Sequence, residues 1–400
     1  MLYLLPDEFL VTIVEYCDHN TRKNLSLVSR RLRNPSQSII FKALFISKST
    51  LITIATAEGG RHLLEVFQND RLLSYIQNFV IDPGTAYYHL DMSILVPIFT
   101  ALPQMQQLSD IKICDIPFTT TMLDQLCEVL STRLCNVQLW SCSYPTDYTI
   151  QQTALKIHTL VLLLGRSQIY DVAPLTTTKA PVAINEKSLS SITSLSLSSG
   201  LDLLADLGTI PRLTGLSIML EGPSNDEGLS NFLVANPQLV EFALDGSYDL
   251  SLLPPSALPN LTTILVNNAE MIRHLVPGRP VAKVEIFGYS KYEIMMDGLQ
   301  ALSRSTAPIV ERTLPFHYYL NALYDALEAV VKVAPRLERI SLSFRAQGRR
   351  ILYRDVLLAS FDHSFLAVAN SPQTSCQTRL TARGRSIDSR QYRATAGRRL

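Results

Sequence analysis

The sequence predicts an α/β protein in which a short N-terminal helical module precedes a solenoid of strand–helix repeats, with parallel strands inside and helices outside. Three observations predict it. Residues 5–33 have helical apolar periodicity, short strand-like runs recur from residue 78 onward, and amphipathic segments lie between these runs. Hydrophobic residues make up 47% of the 400 residues and charged residues 18%, so we expect most of the chain to fold.

The N-terminal module begins with one helical stripe of apolar residues, Phe9, Leu10, Ile13, Val14 and Cys17. Pro6 suits the first turn of this helix, and Asn20 or Thr21 is predicted to cap a second helix. Two or three short helices in about 45 residues enclose only a small core. We therefore expect the module to pack against a partner or against the rest of the chain.

The repeats are predicted from eleven short apolar runs, spaced about 20 to 35 residues apart. The runs are NFVID, DIKIC, NVQLW, TLVLLL, SLSLSS, GLSIML, VEFALDG, TTILVNN, AKVEIFG, VERTLPF and ERISLSF. Amphipathic segments at 122–132, 228–237, 297–305 and 320–335 are predicted helices. Three junctions share a Pro-x-Leu pattern, in IPRLTGLSI, NPQLVEFAL and APRLERISL. The proline ends the preceding helix and the leucine enters the sheet, so the pattern indicates a repeated unit.

The net charge of +1 conceals a basic C-terminal tail. Residues 371–400 contain seven arginines and one acid, Asp388, so the first 370 residues sum to about −5. This tail has almost no apolar periodicity. It is either a disordered basic arm or the product of a wrong gene model, and the sequence alone does not separate these alternatives.

Several classes of site are not predicted. The six cysteines form no CxxC pair, so we expect no metal site and free thiols in a reducing compartment, the cytoplasm and/or the nucleus. The run LVLLL is too short to span a membrane, and the acids near the N-terminus do not fit a secretory signal. The seven histidines are scattered and no catalytic or nucleotide-binding motif occurs, so we expect neither an enzyme nor a cofactor.

A basic run at residues 22–42 contains no acid and no stacking aromatics. It is interpreted as a solvated helix face that complements an acidic partner, not as a nucleic-acid site. Trp140 and the tyrosines at positions 87, 88, 144, 148 and 289 lie near strand ends. There they either contact a bound protein or fill the core.

Residues 5–33 resemble an F-box. The matching positions are Leu5-Pro6, Glu8, Leu10, Ile13, Leu25, Val28, Arg30 and Arg33. Residues 37–47 resemble the segment that follows the motif in many fungal members. The Pro-x-Leu strands resemble irregular leucine-rich repeats of the ribonuclease-inhibitor-like type. The resemblance implies an F-box at 1–48 and a leucine-rich-repeat-like solenoid at 49–370, with the tail at 371–400.

This resemblance implies a non-catalytic substrate-recognition subunit of a Skp–cullin–RING ubiquitin ligase. The F-box would bind the Skp adaptor, and through it a cullin, while the repeats hold an unknown protein substrate. Seven residues are the predicted adaptor-binding surface, some of which could instead fill the module's own core: Leu5, Pro6, Leu10, Ile13, Leu25, Val28 and Leu32. The alternative is a leucine-rich-repeat scaffold with a vestigial F-box, because Thr21-Arg22-Lys23 replaces the usual Asp-Leu-Leu.

Overall fold

A computed structural model describes residues 5–47, 49–51, 65, 67–83, 95–145, 154–163, 186–198, 204, 207–219, 226–246, 248–288, 290–316, 320–344 and 377–381. The chain divides into two compact units, Met1–Leu213 and Thr214–Leu400. Both units contain helices and parallel strands, which confirms the predicted α/β class. Within the described ranges, no helix has the length and apolar character needed to cross a membrane.

Unit 1 begins with three helices, α1 (Asp7–Tyr16), α2 (His19–Val28) and α3 (Arg30–Ile40). The cap of α2 is Asp18, whose carboxylate accepts a hydrogen bond from the Thr21 backbone N–H at 2.9 Å. The prediction of Asn20 or Thr21 as the cap is therefore wrong. An aspartate one turn earlier satisfies the first free N–H groups and also favours the helix dipole.

Six parallel strands follow in unit 1, each paired with the next along the chain. They are β1 (Ala43–Ser47), β2 (Asn78–Asp82), β3 (Asp110–Cys114), β4 (Cys135–Trp140), β5 (Ile157–Leu163) and β6 (Ser194–Leu197). The connections contain helices α4 (Asp70–Leu73), α5 (Val96–Thr100), α6 (Thr120–Thr132) and α7 (Glu186–Leu189), and a 3₁₀ turn at Leu102–Gln104. A parallel pair needs such a crossover because its strands run in the same direction.

Unit 2 repeats this arrangement with seven parallel strands, each paired with the next. They are β7 (Gly215–Met219), β8 (Glu241–Asp245), β9 (Thr263–Val266), β10 (Lys283–Ile286), β11 (Glu311–Phe316), β12 (Arg339–Phe344) and β13 (Gln377–Thr381). Its helices are α8 (Asp226–Ala235), α9 (Ile272–Leu275), α10 (Tyr292–Ala301) and α11 (Leu320–Val333), with 3₁₀ turns at Ala269–Met271 and Leu302–Arg304.

The core of each unit lies on one side of its strands, because alternate side chains point to opposite faces. Phe79, Ile111, Val137, Leu160 and Leu195 form one fully buried row across β2 to β6. The residues between them on each strand are mostly half-buried. Every predicted strand run therefore forms a strand.

The three Pro-x-Leu junctions adopt the same turn. The backbone N–H of the leucine donates to the carbonyl oxygen three residues earlier, at 3.0 Å for Leu213, 3.3 Å for Leu239 and 3.1 Å for Leu337. All three leucines are buried. Proline suits the second position of such a turn because its ring fixes φ. The shared sequence pattern thus corresponds to a shared local structure.

The predicted domain bounds stay predictions. Of residues 371–400, the structure describes only β13, which pairs in parallel with β12. Tyr87, Tyr88, Tyr148 and Tyr289 lie outside the described residues.

Candidate functional site

The three N-terminal helices close around a small apolar core. Leu10 and Val14 of α1 and Leu32 of α3 are buried. Leu5, Leu25 and Ile39 pack against these three and remain partly exposed. Six apolar side chains are few for a self-sufficient fold, which agrees with the expectation of a small core.

Two arginines fasten α1 to the other helices. Arg22 of α2 donates from Nε to the Val14 carbonyl oxygen at 2.9 Å and from Nη2 to the Glu15 carbonyl oxygen at 2.6 Å. These carbonyls belong to the last turn of α1, where a positive charge also favours the helix dipole. Arg31 of α3 pairs with Asp7 at 2.8 Å and donates to the Leu5 carbonyl oxygen.

These contacts change the interpretation of the basic run. Arg22 and Arg31 reach inward to backbone carbonyls, so they belong to the framework of the module. Lys23, Arg30 and Lys42 are exposed, as a solvated basic face requires. The arginine that stands in place of a leucine of the usual Asp-Leu-Leu therefore has a structural role. Its guanidinium donates hydrogen bonds to carbonyl oxygens in the last turn of α1.

The seven predicted adaptor-binding residues divide into two groups. Leu10 and Leu32 lie in the core, with Leu5 and Leu25 packed against it. Pro6, Ile13 and Val28 are exposed. The sequence stripe did not separate the groups, because α1 carries apolar residues on more than one side.

A second apolar stripe on the module faces solvent. On α1 it contains Phe9, which is 61% exposed, Ile13, and Tyr16, which is 89% exposed. On α2, Leu27 and Val28 are also exposed, at 77% and 76%. Phe9, Tyr16 and Leu27 were missed by sequence reasoning. The available signal was the i, i+4, i+7 spacing of positions 9, 13 and 16, one position out of step with the buried Leu10 and Val14.

Exposure of this stripe has a physical cost. Burying an aliphatic or aromatic side chain of this size contributes about 1.5–3 kcal/mol relative to leaving it in water. Several such side chains on a module with so small a core are typical of a protein–protein contact. We call Phe9, Ile13, Tyr16, Leu27 and Val28 the α1–α2 apolar surface.

The half-buried side of the unit 1 sheet is a second feature that could bind a partner. The Nζ atom of Lys112 lies 4.0 Å from the centre of the Trp140 ring, a cation–π contact. Asn136 donates from Nδ2 to the Asp110 carboxylate at 2.8 Å. Tyr144, by contrast, stacks on Phe118 with ring centres 5.5 Å apart, and burial raises the pKa of its hydroxyl. Of the aromatic residues considered for contact with a bound protein, Trp140 is partly exposed on this side of the sheet, whereas Tyr144 packs against Phe118.

Metal ligands do not cluster in the described part of the chain. Within it, no three His, Cys, Asp or Glu side chains are grouped so that they could hold an ion. Burial raises the pKa of the Cys114 and Cys135 thiols to about 11 and of Cys142 to about 12, because a thiolate is poorly solvated there. Such thiols are weak nucleophiles at neutral pH.

Comparison with known families identifies the N-terminal module. Residues 2–39 match the F-box domain family. No curated protein matches the chain. The matched range contains α1, α2, all of α3 except Ile40, and the five residues of the α1–α2 apolar surface. F-box domains bind Skp adaptors, and F-box proteins are generally non-catalytic adaptors. Residues 2–39 of this chain therefore form an F-box domain, the domain that links proteins to Skp adaptors in ubiquitin ligase complexes.

Proposed function

We propose that this protein is the substrate-recognition subunit of a Skp–cullin–RING ubiquitin ligase. Its F-box domain binds the Skp adaptor, and the adaptor connects it to a cullin. Residues 49–370 act as an irregular leucine-rich-repeat solenoid that holds a protein substrate, in the cytoplasm and/or the nucleus. The subunit itself contributes no catalytic residue.

The observation that carries the proposal is the α1–α2 apolar surface on an F-box domain. The domain uses Leu10, Val14 and Leu32 for its own core, so the exposed stripe is available for a partner. The repeated strand–turn pattern with one half-buried sheet face supports the substrate-binding part. Repeat proteins use such extended faces to contact partners.

The test is co-purification of the full chain with a Skp adaptor. Ile13→Glu and Val28→Glu each introduce a charge on the α1–α2 apolar surface without touching the core. We expect each variant to lower adaptor affinity at least about tenfold, since a charge buried without a partner is strongly unfavourable. Both variants should keep the wild-type melting temperature within a few degrees.

The matched control is Leu252→Glu, which places the same charge at a leucine of unit 2 that is 68% exposed. This variant should bind the adaptor like the wild type. Leu10→Asp is a poor probe, because Leu10 is buried and its loss would unfold the domain. Adaptor binding that is insensitive to both charges would contradict the proposed surface.

Failure of the folded wild-type chain to bind any Skp adaptor would favour the alternative, a scaffold with a vestigial F-box. The Arg22 contacts bear on this alternative, because Arg22 completes the F-box fold. Replacing Thr21-Arg22-Lys23 by Asp-Leu-Leu also removes the Arg22 hydrogen bonds to α1, so this variant separates the two hypotheses when calorimetry shows that it is folded. Gain of adaptor binding in this variant alone would identify the natural domain as vestigial.

A further inference from the structure

The first strand of the unit 1 sheet has an open edge. β1 pairs in parallel with β2, and among the described residues no second strand pairs with it. The backbone N–H groups of Gln77 and Asn78 donate to the Lys42 carbonyl oxygen at 2.8 and 3.1 Å, so this carbonyl points toward β2. Alternate residues of a strand use the same edge, so Leu44 and Ile46 also bond to β2.

Ala43 and Phe45 therefore direct their backbone N–H and C=O groups away from β2. Ser47, the next residue in this alternation, has the same direction, because its N–H donates to the Thr50 hydroxyl oxygen at 3.4 Å. Within the described part of unit 1, no hydrogen bond is made to Ala43 or Phe45 at this outer edge. A row of unpaired backbone groups is a template for one more strand, so the edge selects an extended peptide and not a helix.

The side chain of Phe45 adds an apolar contact beside this edge. It is 57% exposed, whereas the following residue, Ile46, is completely buried. In the parallel register Phe45 lies next to Val80, on the half-buried side of the sheet. Neighbouring side chains on one face of a sheet pack together. An added strand with an apolar residue opposite Phe45 would therefore cover its ring.

The charges around the edge decide the kind of segment that fits. Residues 19–57 contain seven lysines and arginines and no acid, and the exposed Lys42 directly precedes β1. A second copy of the chain would bring a second such basic segment to the same place, so we expect repulsion and not self-pairing. An acidic segment is attracted instead. Asp82 lies opposite Ser47 at the other end of the strand, so the acids belong only at the Lys42 end.

We propose that the outer edge of β1 binds an extended segment of the substrate protein, with an apolar residue opposite Phe45 and acids at the end next to Lys42. The segment adds a strand to the sheet through the outward backbone groups of Ala43 and Phe45. The description of the partner as a substrate rests on the proposed function, whereas the binding itself needs no adaptor.

The test is fluorescence anisotropy of the full chain with the labelled peptides EEVTVFVT and TVFVTVEE. These peptides carry the acids at opposite ends and so cover both directions in which a strand can add. Their counterparts KKVTVFVT and TVFVTVKK carry lysines in place of the acids. We expect at least one acidic peptide to bind with a dissociation constant below about 1 mM, and at least about tenfold more tightly than its lysine counterpart.

Two substitutions of one residue separate binding at the edge from attraction by charge elsewhere on the chain. Phe45→Ala removes the ring and keeps the outward N–H, whereas Phe45→Pro removes both. Proline is tolerated in an edge strand where the N–H faces away from the sheet, so both variants should melt within a few degrees of each other. We expect Phe45→Ala to weaken binding of the acidic peptide about threefold and Phe45→Pro to weaken it at least about tenfold.

A modified peptide gives the same test on the wild-type chain. The acidic peptide is methylated on the amide nitrogens of alternate residues, in each of the two possible phases. One phase blocks the N–H groups that face β1 and should bind at least about tenfold more weakly, while the other phase should bind like the unmodified peptide.

Equal affinity of the acidic peptide for Phe45→Ala and Phe45→Pro, with no difference between the two methylated phases, would overturn the proposal, because backbone pairing would then contribute nothing. Failure of both acidic peptides to bind the wild-type chain would also overturn it, as would equal binding of the lysine counterparts. Co-purification with a Skp adaptor is a separate measurement, so failure of the proposed ligase function and failure of this inference are distinguishable.

Discussion

At the scale of single residues, two buried arginines of unit 2 have opposite environments. Arg279 donates to the carbonyl oxygens of Ala257, His274 and Pro254 at 2.7, 2.6 and 2.9 Å. Arg312 stands in an apolar row, between Val284 of β10 and Ile340 of β12. In the described part of the chain, none of its three guanidinium nitrogens has a hydrogen-bond partner. Burial lowers the pKa of Arg312 to about 9, so it still carries its proton at neutral pH.

These environments predict opposite effects of the same substitution. Arg312→Met removes an uncompensated charge and keeps the side-chain volume, so we expect the free energy of unfolding to rise by about 1–4 kcal/mol. Arg279→Met leaves several buried carbonyls without a donor and should lower it by about 2–5 kcal/mol. Calorimetry of the full chain at pH 7 measures both. A fall in stability with Arg312→Met would mean that its guanidinium is paired in solution.

At the scale of secondary-structure elements, the contact of α10 with the 3₁₀ turn Ala269–Met271 depends on a glycine. A Cβ atom at Gly298 would lie 2.6 Å from the Ala269 carbonyl oxygen and 3.2 Å from the Ala269 Cβ. Both elements belong to the core of unit 2, and Gly298 is buried. Backbone cannot yield as a flexible side chain would, so α10 must shift if the glycine is replaced.

Gly298→Ala should therefore destabilise unit 2 by about 1–3 kcal/mol, although alanine is the better helix former by about 1 kcal/mol. Gln300→Ala, an exposed position on the same helix, is the control and should change stability by less than about 0.5 kcal/mol. Thermal unfolding followed by calorimetry compares the two. If Gly298→Ala were neutral or stabilising, α10 would have to lie further from the 3₁₀ turn Ala269–Met271 in solution than it does in the structure.

The same scale shows what the sequence could predict. The short apolar runs placed the strands correctly. They did not indicate that Arg312 is buried in β11, between Val284 and Ile340, because its charge argues against burial. The Pro-x-Leu pattern located three turns because proline and a buried leucine fix the local chain direction. The strands and the Pro-x-Leu turns could be predicted because each is determined by residues that lie within a few positions of one another in the sequence.

The F-box domain was harder to resolve into core and surface. Both stripes of α1 are apolar, so composition could not indicate whether Leu10 or Phe9 is buried; contacts with α3 decide that. The Arg22 contacts join residues seven and eight positions apart, across the break between two helices. Spacing alone does not reveal a side chain that turns back to an earlier helix.

At the scale of the whole molecule, the two units can be followed separately. Trp140 is the only tryptophan of the chain and belongs to unit 1, so its fluorescence reports the unfolding of that unit. Three buried thiols, those of Cys114, Cys135 and Cys142, belong to the same unit. Their pKa values are about 11, 11 and 12 in the folded chain, against an ordinary value of 9.0. Burial is the main cause in each case.

These thiols make the stability of unit 1 sensitive to alkaline pH. Above about pH 9 the unfolded chain loses thiol protons that the folded unit retains, so the free energy of unfolding should fall as pH rises from 9 toward 12. Below pH 9 the contribution is fully present. Cys142→Ala should reduce the slope by up to about 1.4 kcal/mol per pH unit, because one titrating group is removed.

Urea unfolding followed by Trp140 fluorescence between pH 8 and 10.5 measures these slopes. Ser143→Ala is the control, because it changes the neighbouring residue without removing a titrating group. Loss of the Cys142 side chain also lowers stability at every pH, but this constant offset does not alter the slope. Equal slopes for the wild type, Cys142→Ala and Ser143→Ala would mean that the Cys142 thiol is solvated in the folded chain. The loop that follows β4 would then be open at a point where the structure has Cys142 Sγ against the Ile113 carbonyl oxygen at 3.4 Å.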